Sequence, residues 1–323
     1  MDLSSVKRIH ASTSMTVMAY LRSSSSMWMI FLCATKNAEF KQEKKKYCEE
    51  IINRFDFSKA HSSRIPMETN MRLTVEDTDT DRRKEVPAKG KLFPYRELIG
   101  SLMYLTSCTR PDLAFFVGQL SRYVQSPTQQ HIGAAKRILR YLIGTKGEGI
   151  VYSRNKAEEK ARLIIDGYCD SDWRNDPDTR KSITGFVHCL AGGGQFRGLT
   201  IVAQITVEAE YVAACEACME GQGLRNVLIQ VFLEMETKIR MGIDNQAAFV
   251  MATNPTYSRR TRHIELRWHY VRDQVAKKNV DLWKVKTDVN PSDIMTKPLA
   301  SDRLEKLCAM IGLSKQQLSK VTD

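Results

Sequence analysis

No stretch of this chain reaches the roughly 18 consecutive apolar residues that a membrane-spanning helix needs, so no membrane partner is expected. The run MWMIFLCA at 27–34 is short for a span. Arg22 and four serines precede it and Lys36 follows soon after, the wrong flanks for a signal core. An intracellular protein, cytoplasmic or nuclear and not secreted, is therefore expected. Histidines and cysteines at zinc spacing are also lacking. Cys215 and Cys218 form a CxxC, but it has no second pair and sits inside a helical pattern, which reads as helix filler. Eight cysteines in 323 residues, without the short loop-rich character of a disulfide scaffold, point to a reducing compartment.

The chain has room for one large domain or two ordinary ones. Its 49 Lys+Arg against 37 Asp+Glu give a formal charge of +12, which favours a polyanionic partner electrostatically, with a solvated basic surface as the plainer reading. Residues 1–42 show neither a strand nor a helix period and are expected to be irregular. From 43 to 152 the pattern is helical. Tyr47, Ile51, Ile52 and Phe55 recur at helical spacing, a polar connection with an acidic run follows at 58–90, and three helices follow it. The first has Leu98, Leu102, Met103 and Leu105 on its apolar face, the second begins at Pro111, and the third follows Thr128 and ends near Gly144. Lys136, Arg137 and Arg140 on the third read as a solvated face, and His131 as structural.

The polar run SRNKAEEKAR marks a change of class. Over 163–313 the spacing predicts strands at 163–169, 183–190 and 199–205, with glycines 192–194 forming a turn before the third. Two helices at 207–219 and 224–234 come next, then a strand at 238–243. A short helix from Gln246, a helix at 264–276, a strand at 280–285 and a terminal helix at 292–311 complete the order, and 314–323 form a tail. This order predicts an α/β fold with a mixed sheet and helices on its faces.

Four acids fall at strand ends or helix starts, where α/β folds gather ligand groups: Asp170, Glu210, Asp244 and Asp293. Carboxylates in such a set can hold two hard cations about 4 Å apart for phosphodiester chemistry. Each acid also has a plainer reading. Asp244 and Asp293 could cap helices, Glu208 competes with Glu210, and Asp172, Asp176 and Asp178 suit turn hydrogen bonds.

The motifs GYCDSDW, DPDTRKSITGFV, EAEYVAACEA, DNQAA, RRTRHIELRWHYVRDQV and DIMTKPL resemble the ribonuclease H domain of copia-type retrotransposon polyproteins. YRELIGSLMYLTSCTRPDLAFFVGQLSRYVQSP and HIGAAKRILRYLIGT resemble the thumb or connection segment that joins the reverse transcriptase to it. The likeness implies a ribonuclease H-like mixed five-stranded sheet with flanking helices, preceded by a mainly helical segment. It implies Asp170, Glu210, Asp244 and Asp293 as catalytic ligands of two Mg²⁺ ions, with Mn²⁺ as an alternative. The implied partner is an RNA/DNA hybrid, whose RNA strand is hydrolysed. Arg180, Lys181, Arg262 and His263 are weaker candidates for touching the nucleic acid.

Two features depart from the family. Its polymerase signature Tyr-x-Asp-Asp does not occur, so no reverse transcription is expected. SSSSMWMI is what isoleucine and Tyr-Val-Asp-Asp codons give when read one nucleotide out of frame, which makes the N-terminal residues a candidate out-of-frame remnant. The second departure is GQFRGLTIVAQITVEAEY, about four residues short of the family's pattern, which implies a shortened edge strand that could loosen the helix carrying Glu210. A catalytically inactive relic that at most binds nucleic acid is the alternative.

Overall fold

The structure is a computed structural model that describes residues 16–23, 26–33, 47–75, 93–151, 162–174, 176–190, 192–201, 206–231, 236–254 and 269–315. Met1–Arg54 and Phe55–Asp323 are two compact units. In the first, β1 (Thr16–Ser23) and β2 (Ser26–Cys33) pair antiparallel from Thr16↔Cys33 to Ser23↔Ser26, and residues 47–54 form helix α1. Within the segment expected to be irregular over 1–42, residues 16–23 and 26–33 form this hairpin, and the rest lies outside the described residues. Its strands carry long apolar runs without alternation, so no period of two shows, and the serines lie at the end where the strands meet.

The second unit begins with turns and then the helices α2 (Tyr95–Cys108), α3 (Ala114–Ser121) and α4 (Gln129–Thr145), with a 3-10 turn at Pro111–Leu113. On α2 the buried stripe is Tyr95, Leu98, Ile99, Leu102 and Leu105; Met103, expected on that face, points to solvent. Thr128 starts α4 with a capping box, its Oγ1 accepting the His131 N–H while its own N–H donates to His131 Nδ1 at 3.0 Å. The buried His131 ring also stacks on Tyr123 with centroids 4.0 Å apart, which gives this histidine a structural role. Arg110 is buried and forks to Asp112 while donating to the Thr145 carbonyl at 3.1 Å, tying the 3-10 turn to the end of α4. Of the cationic cluster on α4, Arg137 pairs with Glu68 at 2.7 Å and Lys136 lies over the Phe93 ring.

β3 (Glu148–Ile150) pairs antiparallel with the last strand, β9 (Leu313–Lys315), so the chain end returns to the helical segment. Between them lies one sheet of β4 (Arg162–Asp172), β5 (Ser182–Leu190), β6 (Gly193–Ile201), β7 (Glu236–Ile243) and β8 (Val280–Lys284), in the order β6-β5-β4-β7-β8. The β4, β5 and β6 ladder is antiparallel, while β4, β7 and β8 run parallel. Helix α5 (Thr206–Val231) packs on β4, β5 and β7 through a fully buried stripe that includes Ala209, Ala213, Ala217 and Cys218. Small side chains let the helix approach the sheet closely. Helices α6 (Gln246–Thr253), α7 (Tyr270–Ala276) and α8 (Ser301–Met310) complete the ribonuclease H-like arrangement, a mixed five-stranded sheet with flanking helices after a helical segment. No helix among the described residues is long and apolar enough to cross a membrane.

Three expectations change at glycines and a proline. The two helices expected at 207–219 and 224–234 are one: a Cβ on Gly221 would sit 2.9 Å from His188 Nε2, so this glycine serves a close approach rather than a break. The third strand starts at Gly193 rather than 199, and all nine of its residues pair with β5. Only Gly192, at φ 78°, turns the chain; Gly194 lets its N–H donate to the Ile311 carbonyl at 2.8 Å. The β5–β6 ladder runs over nine pairs, from Leu190↔Gly193 to Ser182↔Ile201, and residues 202–205 of the segment that departs from the family lie outside the described residues. The helix expected over 292–311 divides into a 3-10 turn at Pro291–Met295 and α8, with Pro298 in the interval. Of the helix expected over 264–276, residues 264–268 lie outside the described residues.

Candidate active site

The site follows from strand register. β4 and β7 run parallel with Cys169 opposite Ile243, so the next residues, Asp170 and Asp244, emerge side by side at the same sheet end. Glu210 comes from the first turns of α5, the helix laid over these strands. One carboxylate oxygen from each of Asp170, Glu210 and Asp244 lies within 4.8 Å of the others, an arrangement that could hold a metal ion. Asp170 and Glu210 are buried, and Asp244 is partly exposed.

The plainer roles for these acids fall to their neighbours. Asn245 caps α6, its Oδ1 accepting the Ala248 N–H at 3.0 Å, which leaves the Asp244 carboxylate to the cleft. Asn290 likewise caps the turn that carries Asp293. Asp176 makes the expected turn contact, its Oδ1 accepting the Asp178 N–H at 3.1 Å, whereas the Asp178 carboxylate reaches out of the turn and accepts the Val75 N–H at 3.1 Å. Glu208 is not among the three converging acids.

Asp293 stands beside the triad rather than in it. Lys297 Nζ lies 2.8 Å from Asp293 Oδ1 and 2.8 Å from Asp170 Oδ1, bridging the two acids. Thr296 Oγ1 donates to the other Asp170 oxygen, and Arg303 Nη2 to the other Asp293 oxygen. Gly185, opposite Asp170 on β5, makes room for this turn, since a Cβ there would lie 2.5 Å from Met295 Cβ.

Electrostatics separate the acids. Burial, then the negative charges of Asp170 and Asp244, push the Glu210 carboxyl up to about 9. Glu210 Oε2 is buried and has no hydrogen-bond partner. Burial also raises Asp170, against the opposing pull of Lys297. The triad, Lys297 and Trp173 line an open cleft of about 420 Å³. At its rim the Arg174 guanidinium lies over the Trp173 ring, 4.5 Å from the centroid. Arg180, at φ 58°, and Lys181 are exposed in the turn between β4 and β5. Arg262 and His263 lie outside the described residues.

Sequence reasoning passed over Thr296, Lys297 and Arg303. The signal for Lys297 was present in DIMTKPL, where it stands four residues after Asp293, but its second partner is 127 residues away in sequence.

No family model matches the chain. It is 34% identical over 273 residues to the retrovirus-related Pol polyprotein from transposon TNT 1-94 of Nicotiana tabacum, covering 83% of this chain and 20% of that protein. To the retrovirus-related Pol polyprotein from transposon RE2 of Arabidopsis thaliana it is 29% identical over 277 residues, 84% of this chain and 18% of the relative. The chain thus spans about a fifth of the length of these curated relatives. Among solved structures it is similar to RNase H1 from Halobacterium salinarum, at 17% identity and a TM-score of 0.29, over 41% of this chain and 94% of the other. With its motifs in their order along most of the chain and an acidic triad at the sheet end, the chain belongs to the copia-type retrotransposon Pol polyproteins, as a region carrying their ribonuclease H-like domain.

Proposed function

We propose that the chain hydrolyses the RNA strand of RNA/DNA hybrids, leaving a 3′ hydroxyl and a 5′ phosphate. The observation that carries this reading is the convergence of Asp170, Glu210 and Asp244 around a buried Glu210 oxygen that no protein group satisfies. A divalent ion suits this donor set: three carboxylates, all hard oxygen ligands, with no nitrogen or sulfur among them. Magnesium is the ion of this reading, with manganese able to replace it. When bound, it supplies positive charge that makes a water more acidic and offsets the developing charge of a phosphodiester.

The protein's own part is placement. Asp170 and Asp244 are fixed by adjacent parallel strands, and Glu210 by a long helix packed on both. The two-ion arrangement would make Asp293 a ligand as well, and would require it to release Lys297. Arg180 and Lys181, with Arg262 and His263, are proposed to touch the hybrid's backbone, which proteins recognise through shape, phosphates and 2′ hydroxyls. An intracellular site of action, cytoplasmic or nuclear, belongs to the same reading. Polymerase chemistry is not proposed, since the chain has no Tyr-x-Asp-Asp.

The test is cleavage of an end-labelled RNA/DNA hybrid in Mg²⁺ by the wild-type chain and by Asp244→Asn. Cleavage lost in the variant alone is the expected result. Equal cleavage by both refutes the assignment, and salt-sensitive hybrid binding with no cleavage by either identifies an inactive nucleic-acid-binding relic.

A further inference from the structure

The acids of the cleft are divided by a lysine. Lys297 Nζ is held at 2.8 Å by both Asp170 and Asp293, and Asp293 is fully buried with its second oxygen on Arg303. A surface lysine sweeps through solvent; this one is clamped between two carboxylates and faces the same cleft as the triad. We propose that Lys297 is a built-in cation of the site, occupying the place between Asp170 and Asp293 that a second divalent ion would need, so that the chain takes one divalent ion, at Asp170, Glu210 and Asp244. This rests on the triad being the metal site of the proposed nuclease.

Charge balance favours one ion. With an ion bound, and the ligating carboxyls therefore deprotonated, the four carboxylates carry four negative charges, and Lys297 and Arg303 return two positive ones. A single divalent ion neutralises the remainder. Two such ions beside Lys297 and Arg303 would leave a net positive cluster in a largely buried place, and uncompensated buried charge is expensive. Lys284 also lies at this end and donates to the Asp244 carbonyl from an exposed position, where water meets its charge. Geometry agrees at Asp293, which lies outside the triad and has both oxygens already engaged, one by Lys297 and one by Arg303.

The experiment counts bound Mn²⁺ on the full chain by the loss of the free ion's EPR signal, for wild type, Lys297→Met and Lys297→Arg. Methionine keeps an unbranched stem without the charge; arginine keeps the charge. We expect one ion per chain in wild type and Lys297→Arg, and two in Lys297→Met. Two ions in wild type, or one in Lys297→Met, overturn the inference while leaving the hybrid-cleavage reading standing. No ion bound to any of them overturns both. Circular dichroism confirms that each variant is folded; if Lys297→Met is not, Lys297→Gln takes its place, and the wild-type count alone already tests the claim.

Discussion

Gly185→Ala tests whether the turn carrying Asp293 and Lys297 is part of the site or only lies near it. Gly185 sits on β5 opposite Asp170, and a Cβ there would lie 2.5 Å from Met295 Cβ and 2.9 Å from Thr296 Cγ2, where ordinary contact begins at 3.4 Å. Closing that deficit takes about 1 Å of movement, which must come from the β4–β5 ladder or from the turn, because neither obstructing atom is the far end of a flexible side chain. Overpacking of this size destabilises by about 1–3 kcal/mol. The effect on function is expected to be larger, since a ligand set tolerates only about 0.5 Å of displacement and loss of a supporting contact typically lowers metal affinity or activity roughly 10–100-fold. Urea unfolding and Mn²⁺ titration of the same samples measure the two effects. Wild-type unfolding midpoint and wild-type Mn²⁺ affinity in Gly185→Ala would refute the argument that this glycine exists to seat the turn.

Two other perturbations address the scaffold. His188 is buried with Nε2 lacking a hydrogen-bond partner, and burial lowers its pKa from the usual 6.5 to about 4. Below 6.5 the unfolded chain takes up a proton that the folded one refuses, so stability present above 6.5 is lost as pH falls toward 4, by roughly 2 kcal/mol between pH 7 and 5. Chemical denaturation of His188→Asn at both pH values should show a correspondingly smaller fall, and an identical fall would remove His188 as its cause. The Tyr123 hydroxyl lies 2.7 Å from the Leu73 carbonyl and 2.9 Å from Asp178, joining α3's end to the turn that presents Arg180 and Lys181. Tyr123→Phe should lower stability by about 1–2 kcal/mol in urea unfolding, and an unchanged midpoint would deny the hydroxyl that role.

The class of fold and the identity of three converging acids were legible in the sequence because both are local signals. Runs such as LIIDGYC and KIRMGI have strand character, and Asp170 and Asp244 directly follow them. What is not local was not legible. Gly194 was expected in a turn and Gly221 fell between two expected helices, yet each marks a place where a distant element, Ile311 or His188, comes close to the backbone. The turn expected at glycines 192–194 is what pushed the start of β6 six residues downstream. Where β6 begins is set by its partner rather than by its own residues, and all nine residues of β5 have one in β6.

Lys297 shows why a set of acids in sequence need not act as a set in space. Asp293 and Lys297 at i and i+4 read as an ordinary pair on one turn, and nothing in DIMTKPL announces that the same ammonium reaches Asp170. That contact exists because β5 carries glycine opposite Asp170 and lets the turn settle onto the strand end. The fourth acid is thereby brought to the cleft already neutralised, its charge taken by Lys297 and Arg303. An acid list weighs all four alike, but only Glu210 presents a buried oxygen without a partner. The demand for a divalent ion is therefore concentrated at the junction of β4, α5 and β7, and the turn beyond it holds a positive charge that the chain supplies for itself.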